Sequence, residues 1–161
     1  MLRTLMLALV FAVCLHVIQG HVLQQNATQR WSKVSHKYQR LYRASYYNVH
    51  DEPLTWFEAS NVCGSEGAHL LIINSPAEAE AVKRFVDPTV ETYSVGFHDL
   101  FNEGTFTTVQ CQSLQEAGYN HWALLEPSSF HNENCGGINQ QIFLLDIVCS
   151  NHYPFICEYE P

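Results

Sequence analysis

Three carboxylates in the last third of the chain have the residue type and spacing of a cation site. Glu126, Glu133 and Asp146 stand in short polar stretches between apolar runs, and Cys135 and Cys149 bracket the segment that joins the last two acids. A disulfide between these cysteines would bring Asp146 back towards Glu133. Two carboxylates about 5 Å apart repel by roughly 3 kcal/mol at an effective dielectric of about 20. Such a cluster favours a hard cation with oxygen ligands, and calcium fits best.

The N-terminus indicates a secreted protein. Met1-Leu2-Arg3 precedes an apolar run from Leu5 to Ile18, which is too short to span a bilayer and is followed by the small residue Gly20. This pattern is typical of a signal peptide over residues 1–20, with a mature protein that starts at His21. No other apolar run is long enough to cross a membrane, so we expect a soluble, extracellular protein without a membrane span.

In an oxidising compartment the cysteines form a disulfide framework rather than a metal site or a catalytic thiol. The signal contains Cys14, so the mature chain keeps five cysteines, at positions 63, 111, 135, 149 and 157. Choosing one unpaired cysteine and then pairing the other four gives fifteen arrangements, five times three. Spacing alone does not choose among them.

Charge is divided unevenly along the chain. All sixteen acids lie at Asp51 or later, whereas five of the eight basic residues lie in one N-terminal stretch: Arg30, Lys33, Lys37, Arg40 and Arg43. The folded part is therefore strongly acidic, which argues against a nucleic-acid partner. The basic stretch could bind an anionic surface or the acidic face of the domain itself, but a solvated arm is the simpler interpretation.

Residues 21–41 are predicted to form a flexible basic lead-in, because apolar periodicity is weak there. Asn26-Ala27-Thr28 is an acceptor triplet, so Asn26 is a predicted glycosylation site. We expect Trp31, the tryptophan of this segment, to dock on the domain.

The rest of the chain predicts an α+β domain. Thr55 to Glu58 forms a capping box at the start of a helix that would bury Trp56, Ala59 and Cys63. A second capping box, Ser75 to Glu78, has proline at the first helical position and opens a second helix with an apolar stripe. Strands are predicted around these two helices, over residues 42–49, 69–73, 92–97, 105–109 and 153–159.

Several of these segments resemble, in order, small secreted C-type lectins of the insect type. The matching stretches include Trp56-Phe57-Glu58-Ala59, Gly67-Ala68-His69-Leu70, Ser94-Val95-Gly96-Phe97 and Phe155-Ile156-Cys157-Glu158. The resemblance covers Tyr42 to Glu158 and implies the C-type lectin fold over residues 42–160, with two helices, small antiparallel sheets and a long loop region. It also implies two disulfides, with one cysteine left unpaired: Cys63–Cys157, Cys135–Cys149 and the extra Cys111.

The same resemblance implies a calcium and carbohydrate site. In the family, Glu-Pro-Asn, the Glu before the loop cysteine and Trp-Asn-Asp supply the ligands, and the corresponding residues here are Glu126, Ser128, Glu133, Leu145 and Asp146. The acids are kept, but serine and leucine replace both amides. Because calcium takes about six to eight oxygens, we expect it to bind weakly or not at all. The alternative is that the three acids are ordinary solvated loop residues.

These positions also imply the type of sugar. In the family, Glu-Pro-Asn goes with mannose-type and Gln-Pro-Asp with galactose-type hydroxyl geometry, because acid and amide accept from and donate to adjacent hydroxyls. Glu126 stays on the mannose side, while Ser128 lacks the amide donor, so the resemblance implies a mannose-type preference. The family holds the peptide between Glu126 and Pro127 in the cis form, whereas trans would be the default without the ion.

No catalytic chemistry is indicated. The nine histidines, among them His121, His131 and His152, show no zinc-ligand spacing on one helix face, although these three could make the loop sensitive to pH. Cys111 has no catalytic motif around it, so we expect no enzymatic activity.

The sequence therefore predicts a secreted carbohydrate-binding lectin that recognises glycans on microbial or cell surfaces, in a role like that of innate immunity. An exposed Cys111 would link two chains into a homodimer. The alternative is a C-type-lectin-like module that binds a protein partner and has lost calcium and sugar. Loss of both amides favours this alternative, and retention of the three acids opposes it.

Overall fold

The computed structural model describes Gln25, residues 28–128 and residues 132–161. The predicted signal peptide over residues 1–20, the predicted glycosylation site Asn26 and the loop histidine His131 lie outside the described residues. Within the described part, no helix has the length and apolar character that crossing a membrane requires.

Helices pack against one connected sheet, which makes the domain α+β as predicted. The sheet runs β1-β2-β8-β4-β6-β7, with β3 paired to β8 and β5 paired to β4. All pairings are antiparallel except that of β4 with β8. The elements in chain order are α1 (residues 28–34), a 3-10 turn (Ser35–Lys37), β1 (Gln39–Tyr42), β2 (Ser45–Leu54), α2 (Trp56–Ser65), β3 (His69–Leu70), α3 (Pro76–Lys83), β4 (Thr92–His98), β5 (Thr107–Thr108), α4 (Leu114–Ala117), β6 (Cys135–Asn139), β7 (Leu144–Ile147) and β8 (Tyr153–Tyr159).

Helix α2 begins as the sequence predicts. The Thr55 hydroxyl accepts a hydrogen bond from the Glu58 N–H (3.3 Å), and the Glu58 carboxylate accepts one from the Thr55 N–H (3.1 Å). Trp56, Ala59 and Cys63 are all buried. The Trp56 indole N–H donates to the carbonyl of Val95 in β4 (2.8 Å), so the helix is tied to the middle of the sheet.

Helix α3 forms only half of the predicted capping box. The Ser75 hydroxyl accepts from the Glu78 N–H (3.2 Å), but the Glu78 carboxylate turns inwards and is fully buried. There it accepts hydrogen bonds from the Asn74 N–H (2.6 Å) and from the hydroxyl of Tyr47 on β2. A buried donor on a neighbouring strand has drawn the carboxylate away from the helix end.

Both disulfides implied by the resemblance are present. Cys63–Cys157 joins α2 to β8, and Cys135–Cys149 joins the start of β6 to the segment after β7. In the chain-entropy description, the wider link stabilises the fold by about 4–5 kcal/mol and the narrower one by about 3 kcal/mol. Cys111 is free and exposed.

The N-terminal segment differs from the predicted flexible lead-in. Its described part contains α1, and the ring of Trp31 stacks on that of Tyr159 with centroids 3.6 Å apart and an interplanar angle of 9°. Trp31, Val34 and Tyr38 recur at helical spacing and face the domain, and Tyr38 is buried. The expected docking of Trp31 is confirmed. This short apolar stripe explains why the segment is helical, and the sheet begins at Gln39 rather than at residue 42.

Candidate functional site

The elements at one edge of the sheet carry the predicted site residues. Asp146 lies in β7, opposite Gly136 of β6, and Glu133 precedes β6 by two residues. Glu126 and Ser128 lie on the loop that leaves the sheet after Ala123, whose N–H donates to the Leu144 carbonyl at the start of β7 (3.0 Å). The pairing of β6 with β7 and the anchoring of this loop thus place three distant segments side by side.

Ser128 contacts all three predicted carboxylates. Its backbone N–H donates to Glu126 Oε2 and to Asp146 Oδ1, each at 3.0 Å. Its hydroxyl donates to Glu133 Oε2 at 2.7 Å. The side chains that were predicted to converge therefore surround one serine.

The crowding of acids changes the acidity of Glu126. Burial, a hydrogen bond with Asp146 and the charges of Asp146 and Glu133 together raise the pKa of Glu126 to about 7. Part of the mutual repulsion is thus relieved by a proton near neutral pH. No Lys or Arg of the described chain forms an ion pair with Glu126 or Glu133.

The two positions that lost an amide behave differently. Ser128 faces the acids, whereas Leu145 is half-buried and packs with the apolar cluster that contains Trp56 and Cys135, so its side chain brings no oxygen to the site. The peptide between Glu126 and Pro127 is cis, as in the family that the sequence resembles.

A second group of polar residues, which the sequence analysis missed, supports the segment of Glu133. The Asn134 amide donates to Asp99 (3.1 Å) and to Glu103 (3.3 Å), and the Asp99 N–H donates to the Asn134 carbonyl (3.2 Å). Asp99 is buried and also accepts from the Gly104 N–H (2.8 Å). The signal in the sequence was an amide directly between Glu133 and Cys135, whose partner lies far away along the chain.

Calcium fits this donor set in part. Glu126, Glu133 and Asp146 supply hard oxygen donors around Ser128, whose hydroxyl could be a further ligand. The leucine side chain at position 145 cannot replace the missing amide. The chemistry suits a cation that is held by fewer protein oxygens than calcium normally takes, with water or ligand hydroxyls filling the remainder.

A zinc site is not supported by the described residues. One group of possible ligands, His50, Glu66 and Cys157, has its atoms within 4.8 Å of one another. However, the Cys157 sulfur is bonded to Cys63 and is not available as a thiolate. His121, one of the histidines near the loop, stacks on Tyr119 with centroids 4.9 Å apart.

The family assignment follows from the match of residues 52–159 to the profile of the lectin C-type domain. The chain belongs to the C-type lectin family. This is a family of binding domains, and the residues of the candidate site all lie within the matched range.

Two relatives of this C-type lectin are named for the ligands that they bind. It is 35% identical over 125 residues to the hemolymph lipopolysaccharide-binding protein of Periplaneta americana, with 71% of this chain and 49% of that protein aligned. It is 32% identical over 99 residues to the mannose-binding protein of Gallus gallus, with 61% of this chain and 37% of that protein aligned. The chain thus spans about half of the first relative and little more than a third of the second.

Solved structures of other C-type lectin folds superpose on the domain. The carbohydrate-recognition domain of the human scavenger receptor C-type lectin aligns with a TM-score of 0.72 at 21% identity, over 78% of this chain and 97% of that one. A calcium-independent type II antifreeze protein aligns with a TM-score of 0.68 at 18% identity, over 76% of this chain and 91% of that one. At these identities the likeness shows the fold alone.

Proposed function

We propose that this C-type lectin binds carbohydrate through Glu126, Ser128, Glu133 and Asp146 and recognises glycans on microbial or cell surfaces. The observation that carries the proposal is the set of hydrogen bonds from Ser128 to all three carboxylates. Oxygen atoms that converge in this way can coordinate a cation, and they can also accept hydrogen bonds from sugar hydroxyls. The relatives named for lipopolysaccharide and mannose support a sugar as the ligand.

Binding would use the acids as ligands and as hydrogen-bond acceptors. Bound calcium would supply positive charge and open coordination positions for sugar hydroxyls. Glu133 and the deprotonated form of Glu126 would accept hydrogen bonds from adjacent hydroxyls, while the Ser128 hydroxyl would leave Glu133 and contact the sugar. A hydroxyl has one proton to donate where an amide has two, so we expect weak binding that keeps the mannose-type preference of Glu126.

The same proposal includes secretion. We propose a signal peptide over residues 1–20, a mature chain from His21 with glycan on Asn26, and a lectin domain over residues 42–160 that has no catalytic activity. A hemolymph protein among the relatives supports an extracellular location and a role in recognition of microbes.

A glycan array tests the proposal. The mature protein would be applied to the array with calcium and again with a chelator, beside the Asp146→Asn variant. We expect signal on mannose-type glycans that calcium strengthens and that the variant reduces. An array without signal in both conditions would contradict carbohydrate binding at this site.

A second candidate function, binding of a protein partner, is favoured by apolar side chains beside the site. Leu124 and Leu125 directly precede Glu126, and their side chains are 91% and 85% exposed. Adjacent exposed apolar residues are typical of interaction surfaces. A calcium-independent antifreeze protein with a similar fold also supports a function that does not use calcium. A silent array together with loss of partner binding on Leu124→Ser/Leu125→Ser would favour this function.

A further inference from the structure

The Lys and Arg residues of the described chain lie on elements that contact one another. They belong to α1 and the turn after it, to the β1–β2 hairpin and to α3, and all are exposed: Arg30, Lys33, Lys37, Arg40, Arg43, Lys83 and Arg84. Helix α3 meets β1 at a groove of about 520 Å³ that both Arg40 and Arg84 line. We call the surface formed by these seven residues the basic edge.

The docking of α1 sets the direction of its charges. Trp31 and Val34 pack on the domain, whereas Arg30 and Lys33 of α1 and Lys37 of the following 3-10 turn, three and four positions apart, are exposed. Stacking of Trp31 on Tyr159 docks the helix on the domain, so these cations extend from an attached segment rather than from a free arm.

The residues of the basic edge form almost no ion pairs with acidic residues of the domain. Among the described residues, the one ion pair of a Lys or Arg is that of Arg84 with Glu80, at 3.8 Å. Arg30 donates instead to the Gly64 carbonyl (3.4 Å) and Arg40 to the Arg43 carbonyl (2.6 Å). Within the described residues, the basic stretch therefore forms no ion pair with the domain's own acids, although Lys37 lines a groove together with Asp51 and Glu52.

We infer that the basic edge binds a phosphate-bearing polysaccharide, independently of calcium. Exposed cations in a row complement regularly spaced anionic groups. Arg40 also lines a second groove, of about 540 Å³, together with Trp31, Tyr46 and Tyr159, and aromatic rings beside a guanidinium suit an anionic sugar. The choice of a polysaccharide as the ligand rests on the proposed function, but the basic edge is a different surface from the carboxylate site.

Two features favour a soluble polymer over a membrane surface. The large apolar side chains exposed in the described chain are at positions 57, 100, 101, 124, 125 and 143, so none lies on α1 or the β1–β2 hairpin to enter a bilayer. The net charge of −8 would repel an extended anionic plane. A narrow polymer avoids this repulsion, because charges beyond about 8 Å are screened at physiological salt.

The basic edge and the carboxylate site are separate. Strand β1, which carries Arg40, begins the sheet order, and β7, which carries Asp146, ends it, so these two residues lie at opposite edges of the sheet. With about 4.8 Å between neighbouring strands, five intervals correspond to about 24 Å. Loss of binding at one site can therefore be distinguished from loss of binding at the other.

The test is titration of the mature protein with dextran phosphate and with unsubstituted dextran of equal length, in the presence of a chelator. We expect binding of dextran phosphate alone, weakened at least about tenfold between 50 and 200 mM salt, as multiple phosphate contacts require. Arg30→Gln/Lys33→Gln/Lys37→Gln should lose affinity by about tenfold or more. The control Gln112→Glu/Gln141→Glu/Ser150→Glu changes the net charge equally at exposed positions off the basic edge and should bind within about twofold of wild type.

Equal losses in the two triple variants would overturn the inference, because net charge alone would then explain them. Stronger binding of single-stranded DNA or of phosphatidylglycerol vesicles than of dextran phosphate would also overturn it. Binding of dextran phosphate by a protein that ignores mannose glycans with calcium would support the basic edge and contradict the proposed carbohydrate site. The reverse result would do the opposite.

Discussion

Ser128 occupies the position of a family amide, and its hydrogen bonds show what the replacement does. Its N–H and hydroxyl together satisfy one oxygen on each of three carboxylates. The serine thus partly takes the place of the cation that would otherwise hold the acids together. A metal ion must compete with these hydrogen bonds and with the proton on Glu126, whose pKa is raised to about 7 by burial and by Asp146.

At this scale we predict that millimolar calcium raises the melting temperature of the mature protein. A ligand that binds only the folded state stabilises it by about 2.7 kcal/mol at one hundred times its Kd. Asp146→Asn should reduce the shift, since it removes a charged ligand. Asp51→Asn, the same change at an exposed strand residue, is the control and should leave the shift intact. Differential scanning calorimetry with calcium or chelator measures both.

Restoring the lost amides gives a sharper prediction. Leu145→Asn with Ser128→Asn should increase the calcium-induced shift in melting temperature and produce binding to mannose-type glycans, because it returns both missing oxygen ligands. If calcium affects only this double variant, the proposal that the wild type binds sugar through calcium is wrong. Binding of a protein partner is then the favoured function. If the variant also ignores calcium, the assignment of Glu126, Glu133 and Asp146 to one cation site is wrong.

Among the secondary-structure elements, a buried pair of acids couples α3, β2 and β8. Glu78 of α3 and Glu158 of β8 are both almost inaccessible to solvent, and Tyr47 of β2 donates its hydroxyl to Glu78. Burial and the charge of Glu78 raise the pKa of Glu158 to about 8. The Ile72 N–H also donates to Glu158 (3.2 Å), so the segment after β3 joins the same network.

The raised pKa predicts that stability falls with increasing pH. The folded state holds a proton on Glu158 that the unfolded state releases near pH 4.5, so this contribution is full below that pH and lost as pH rises through about 8. Glu158→Gln mimics the protonated acid and should flatten the decline, gaining roughly 1–3 kcal/mol at pH 8. Urea unfolding from pH 5 to 8 measures it, with Glu52→Gln, an exposed acid, as the control. Parallel pH curves for wild type and Glu158→Gln would contradict a proton held by Glu158 in the folded state.

Helix α1 gives a second prediction at this scale. Trp31→Ala removes the ring that stacks on Tyr159 and meets Tyr38 and Tyr46 edge-on, so we expect a loss of roughly 1–3 kcal/mol in unfolding free energy. Trypsin should then cleave faster after Arg30 and Lys33. Trp31→Phe keeps an aromatic ring and should retain most of the stability and protection. Equal behaviour of the alanine variant and wild type would show that α1 does not depend on this contact.

For the molecule as a whole, the free thiol bears on assembly. Cys111 is exposed, and the other cysteines of the described chain are paired. In an oxidising medium we expect a disulfide-linked homodimer of the mature protein, visible on a non-reducing gel and abolished by Cys111→Ser. A monomeric wild type whose Cys111 still reacts with a thiol reagent would contradict the dimer, and the serine variant would then behave like wild type.

Features that depend on neighbouring residues could be predicted from the sequence. The start of α2 follows from Thr55 and Glu58, because a capping box is satisfied within one turn. Burial of Trp56, Ala59 and Cys63 follows from helical spacing. The family resemblance extended this to the disulfide pairing and to the identity of the candidate site residues, which spacing alone had left open.

Only the tertiary structure decided which distant groups meet. Glu78 has the spacing of a capping residue, yet it turns to Tyr47 because a buried donor on another strand satisfies it better than the helix end does. Trp31 has few apolar neighbours in sequence, and its stacking partner Tyr159 lies at the other end of the chain. The convergence of acids on Ser128 depends on the register between β6 and β7. These contacts depend on the pairing of remote strands, which local spacing does not encode.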